Sequence, residues 1–166
     1  MNRHARRLAL LLTTVPLVFV AAGAGAQQRV GDTELGFSFD LDDVTAGGES
    51  QLSATLRFGK YLTDRFELGL EMSAFGPLED TGDVVLFRLF AVYELNPGAT
   101  SVWYARGGYF ALLDAAGDGF ADLGLGVKSY VRDDTALYWE TVYGVAFLGD
   151  ARGDNVRTVT GVVCTF

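Results

Sequence analysis

Residues 66–74 read Phe-Glu-Leu-Gly-Leu-Glu-Met-Ser-Ala. Phe66, Leu68, Leu70, Met72 and Ala74 share one parity, and Glu67, Gly69, Glu71 and Ser73 share the other. Successive side chains of a strand point to opposite faces, so a period of two predicts a strand with one apolar and one polar face. The same division recurs in Val85, Phe87, Leu89, Ala91 and Tyr93, and in Leu123, Leu125, Val127 and Val131. Opposing them are Gly124, Gly126 and Lys128, followed along the chain by Tyr138, Glu140 and Gly144.

Working outward from that stretch, the chain divides into eight such segments, at 33–41, 51–61, 66–75, 84–94, 102–112, 120–131, 136–147 and 156–166. Roughly ten residues is what a tilted strand needs to cross a bilayer. The connections alternate in length. Leu62 to Arg65, Asn96 to Ser101 and Arg132 to Thr135 are short. Asp42 to Ser50, Gly76 to Asp83, Leu113 to Gly119 and Leu148 to Asn155 are longer and rich in Gly, Asp and Glu. Short turns at one end and longer loops at the other are the pattern of an eight-stranded antiparallel up-and-down transmembrane β-barrel, with the apolar parity facing lipid and the charged parity facing the lumen.

The N-terminus supports export. Arg3, Arg6 and Arg7 precede an uncharged apolar run from Leu8 to Ala22, and Ala24-Gly25-Ala26 follows. This order is that of a secretory signal peptide; the run is too short for the ~20 residues of a spanning helix. Residues 1–26 are therefore expected to be a cleaved signal and 27–166 a single barrel domain. Without the three signal arginines, 10 basic residues stand against 21 acidic ones, a formal charge of about −11 that disfavours nucleic acid. Cys164 is the only cysteine, so no internal disulfide is available. Helical periodicity is poor throughout, and the mature chain reads as all-β.

Tyr93, Trp103, Phe66, Trp139 and Phe147 fall near segment ends, where aromatic girdles sit in barrels of this kind. The chain ends on Phe166, with Cys164, Val162 and Thr160 on its strand face. A terminal Phe after an alternating strand resembles the signal read by the outer-membrane assembly machinery; the plainer reading is packing at an interface.

The hairpin Gly-Lys-Tyr-Leu-Thr-Asp-Arg-Phe-Glu-Leu-Gly-Leu at 59–70, Asp-Leu-Gly-Leu-Gly-Val-Lys at 122–128 and the terminal Phe166 make the chain similar to the small outer-membrane β-barrel family related to the OmpA transmembrane domain and OmpX. The resemblance is one of pattern over nearly the whole mature chain. It implies the cell outer membrane of a Gram-negative bacterium, with lipid, lipopolysaccharide and the assembly machinery as partners. It carries over no functional residue, because such families share architecture more firmly than activity.

The lumen parity carries Asp40, Glu67, Glu71, Glu94, Asp122 and Glu140 against Arg57, Arg88, Arg106, Lys128 and Arg157. Eight strands enclose only enough room for side chains, so these charges are expected to pair as a structural network. Centring the 62–65 turn near Asp64 sets Arg57 opposite Glu71; centring the 132–135 turn near Asp134 sets Lys128 opposite Glu140. The glycines of the same parity are expected to tolerate Ser better than the apolar face tolerates Arg.

The single histidine, His4, lies in the signal, so the mature chain has no Ser-His-Asp site and no histidine metal ligand. No catalytic, cofactor or metal residues are assigned, and no enzyme is expected. The acidic loop residues Asp42, Asp43, Glu49, Glu79, Asp80, Asp83, Asp114, Asp118, Asp150 and Asp154 fit a soluble surface; Ca²⁺ or Mg²⁺ is the sharper alternative. Arg152-Gly153-Asp154 matches an integrin-binding tripeptide that arises easily by chance. Three functions follow from the pattern: a filled barrel with a structural or surface-interaction role, a narrow porin-like channel for small solutes, or a secreted soluble lipocalin-like barrel with the faces reversed.

Overall fold

A computed structural model describes residues 28–43, 50–75, 84–111, 119–148 and 154–166. The proposed signal and most of each longer loop, including Arg152 and Gly153, lie outside the described residues, as do the side chains of Asp40, Phe147 and Asp154. The strands are β1 (Thr33–Asp43), β2 (Ser50–Tyr61), β3 (Phe66–Phe75), β4 (Val84–Glu94), β5 (Ser101–Ala111), β6 (Gly119–Arg132), β7 (Thr135–Leu148) and β8 (Asp154–Thr165). Each pairs antiparallel with the next, and β8 closes on β1, so the sheet is a barrel without an edge.

Local chemistry sets the short turns. Asn96-Pro97-Gly98 places Pro where φ is already fixed and Gly at φ 80°, and Asn96 Oδ1 accepts from Trp103 N at 2.6 Å. At the β2–β3 turn, Thr63 Oγ1 accepts from Phe66 N at 3.0 Å and Leu62 N donates to Phe66 O at 2.8 Å. Residues 28–32 close the same end, Gly31 N donating to Tyr61 O at 2.8 Å and Thr33 N to Phe166 O at 3.1 Å.

The register shows how far the strands tilt. Thr33 pairs with Lys60, and the partners then run through Leu68, Ala91, Gly107, Leu123, Tyr143 and Val156 to Asp43. One circuit therefore returns ten residues further along β1, a stagger that corresponds to strands tilted by roughly 40°. As a consequence, residues directly paired in the ladder do not lie at one height in the lumen.

The two parities separate as physics requires for a barrel in hydrocarbon. Leu70 is 51% and Leu125 62% exposed on the outside, while Arg57, Lys128 and Glu140 are at most 1% exposed within. This arrangement is the reverse of a soluble ligand-binding barrel, whose apolar face points inward. The lipocalin-like alternative is therefore not favoured. Val127 departs from its outward neighbours at 4% exposure. It lies between Trp103 and Trp139 in the register, and two indoles beside a valine account for the shielding.

Candidate functional site: the filled lumen

Alternation aims every second side chain inward, and the tilt stacks those side chains in two linked groups. Nearer the long loops, Glu71 is the hub. Its carboxylate accepts from Arg106 Nη1 at 2.7 Å, Arg106 Nη2 at 2.9 Å and Arg88 Nη1 at 3.1 Å, with Arg157 Nη2 at 3.7 Å. Asp122 meets Arg88 Nε at 2.9 Å and Arg157 Nη2 at 3.7 Å. Glu140 binds Arg106 at 2.6 Å and the Tyr104 hydroxyl at 2.9 Å, and lies 3.8 Å from Arg57.

Nearer the short turns, Lys128 Nζ donates to Glu34 at 2.6 Å and to the Tyr61 hydroxyl at 2.9 Å. Arg57 donates to Glu67 at 2.9 Å and stacks 4.2 Å from the centre of the Phe90 ring. Side chains that are fully desolvated need such partners, because a stranded buried charge costs several kcal/mol.

Aromatic rings fill what the charges leave. Phe90, Tyr104 and Tyr138 each stand opposite a glycine in the register: Gly69, Gly126 and Gly161. A Cβ on Gly161 would lie 2.7 Å from the Tyr138 ring, and one on Gly69 or Gly126 would run into Phe90 or Tyr104. These positions need glycine because a ring from the next strand occupies the space of the missing side chain. Ser at Gly69 or Gly126 therefore carries a packing cost that parity alone does not reveal.

The register places Arg57 opposite Glu71, as the hairpin arithmetic has it. Their ion pairs nevertheless run elsewhere, since long side chains reach across a tilted lumen. Lys128 stands opposite Tyr138, and Glu140 opposite Gly126. Here the arithmetic misses: Asp133-Asp134 forms a two-residue turn, and an irregularity between Tyr130 and Arg132 shifts the ladder. Glu34 and Tyr61, both fully buried, join the lumen but escaped the reading of the sequence. Glu34 was legible, sharing the parity of Gly36, Ser38 and Asp40. Phe166 is 73% exposed at the outer face of the short-turn end, where its backbone pairs with Thr33.

Among the described residues no cluster of Asp, Glu, Cys or His is placed to hold a metal ion. No protein-family model matches the sequence, and no curated protein matches it. Solved structures do. A de novo designed transmembrane β-barrel superposes with a TM-score of 0.61 at 11% identity, covering 84% of this chain and 99% of the other. The N-terminal β-barrel domain of Pseudomonas aeruginosa OprF gives 0.60 at 17% identity, covering 84% and 100%. Neisserial surface protein A gives 0.59 at 11% identity, covering 81% and 96%. At such identities the likeness is one of fold: this chain has the architecture of the small eight-stranded transmembrane β-barrels.

Proposed function

We propose that the protein is an outer-membrane barrel of structural or surface-interaction role, exported through a cleaved signal and inserted by the outer-membrane assembly machinery, with Phe166 as part of the signal that machinery reads. The observation that carries the reading is the filled lumen, where Arg57, Tyr61, Phe90, Tyr104 and Lys128 are at most 1% exposed. An interior crossed by paired charges and by rings seated on glycines leaves little width for an aqueous path. The outward apolar wall supports membrane lipid and lipopolysaccharide as its surroundings, and the acidic loops are the surface offered to an extracellular partner. The reading assigns no catalytic chemistry and no cofactor.

Purified protein in a planar bilayer tests it. The expected result is the absence of any large, steady conductance. A reproducible open channel in the wild type, with ion selectivity altered by substituting Arg88 or Arg106, would overturn the reading in favour of a narrow porin-like channel for small solutes.

A further inference from the structure

Mid-strand side chains on the outer wall are apolar at Leu56, Leu70, Leu89 and Leu123. The seam between β7 and β8 departs from this pattern. Thr141 and Thr158 stand directly opposite one another there, and Thr160 is the next outward residue of β8. On its other side Thr141 pairs with Leu125, which sets the cluster near mid-strand. Thr160 is exposed, Thr141 and Thr158 are half-buried, and Thr141 Oγ1 makes no hydrogen bond. Outward hydroxyls nearer the short turns are partnered instead: Ser101 meets Ser129 at 3.3 Å, and Thr135 donates to Asp134 at 2.8 Å.

Hydrocarbon offers a hydroxyl no acceptor, so a polar neighbour within the bilayer is its outlet. We propose that the β7–β8 seam is an interface between two copies of this chain in the membrane, with the hydroxyls of Thr141, Thr158 and Thr160 hydrogen-bonded across it. Depth selects the partner. Acyl chains carry no polar group at mid-bilayer, and headgroups lie too far out. A second copy presents the same three hydroxyls at the same depth when the two are related by a two-fold axis along the membrane normal. Tilt then restricts the contact: β8 strands inclined by roughly 40° to that axis cross one another, and the barrels touch only around the crossing point. A compact polar cluster suits such a contact better than a long apolar stripe does. Rotation about χ1 turns Thr141 Oγ1 toward the partner. The inference rests on the outer wall facing lipid, which insertion of the barrel checks separately.

Cys164, the only cysteine, gives a single position for a donor or acceptor dye, attached to the unfolded chain before it is folded into phosphatidylcholine vesicles. Energy transfer between labelled barrels is expected to rise with the protein-to-lipid ratio, above the level that random crowding produces. Thr141→Val, Thr158→Val and Thr160→Val keep the β-branched shape and should each weaken association by about threefold. In a Cys164→Ser background, oxidation should join Thr160→Cys barrels into dimers and leave Leu70→Cys barrels, labelled on the opposite wall, monomeric. Heat-dependent electrophoretic migration shows that each variant has inserted, so a failure of the lipid-facing wall is distinguished from a failure of the interface. An inserted wild type that transfers energy only as random crowding does would overturn the proposal and leave the seam to lipid. Association unchanged in the triple valine variant, equal cross-linking from both walls, or cross-linking of Thr160→Cys in cells to a chain of different mass alone would equally overturn it.

Discussion

Arg57 stands directly opposite Glu71 in the β2–β3 ladder, yet Arg57 turns to Glu67 at 2.9 Å and Glu71 to Arg106, two strands away, at 2.7 Å. The energetic partner of Glu71 is therefore Arg106. Glu71→Gln should destabilise the barrel by about 3 to 5 kcal/mol, since it leaves Arg106 and Arg88 short of their shared anion. In double-mutant cycles measured by urea titration of folding into lipid, Glu71 with Arg106 should couple strongly and Glu71 with Arg57 weakly. Coupling in the opposite order would mean that the ladder, rather than the reach of the side chains, selects partners.

Gly69→Ser and Gly126→Ser should each cost about 1 to 3 kcal/mol, as an added side chain forces Phe90 or Tyr104 out of its seat. Pairing Gly69→Ser with Phe90→Leu should recover part of the loss, because the smaller side chain vacates the space. Glycines that merely line an open channel would accept Ser without measurable loss in the same titration.

The architecture was legible because alternation and turn chemistry are local. Every strand starts and ends within two residues of the segment read from the sequence, and Phe66–Phe75 and Val84–Glu94 coincide with it. The lumen was legible only as a set. Parity states that Arg106 and Glu71 both point inward, but their meeting depends on the stagger accumulated round eight strands, which no single hairpin encodes. Lys128 and Glu140 are displaced from one another by the two-residue Asp133-Asp134 turn together with the ladder irregularity near Val131. The pairing of rings with glycines was hidden for the same reason: Gly126 and Tyr104 lie on different strands and meet only through the β5–β6 register.

Export should be visible at the N-terminus of the mature protein. Ala24 and Ala26 are the small residues a signal peptidase requires, so membrane-derived protein is expected to begin at Gln27. Mass spectrometry of the intact chain checks this, and a mature form retaining Met1 would refute it. Cell fractionation with electrophoresis of heated and unheated samples adds the location: the protein should sediment with outer membrane and migrate differently when unheated. Recovery in the soluble periplasm alone would contradict a lipid-facing exterior.

Leu70 and Leu125 provide the test of orientation. Both lie in mid-strand on the outer wall, and the flanking outward residues Leu68, Met72 and Leu123 are also exposed and apolar. In hydrocarbon an arginine there has neither water nor a nearby carboxylate, and it should cost about 2 to 4 kcal/mol near the bilayer midplane. Leu70→Arg and Leu125→Arg are therefore expected to reduce insertion into vesicles sharply, whereas Leu62→Arg, in the exposed short turn, should have little effect. The comparison separates depth from charge, since all three variants add the same guanidinium. Equal tolerance at all three positions would mean that the outer wall faces water, and the assignment of the apolar parity to lipid would fall with it.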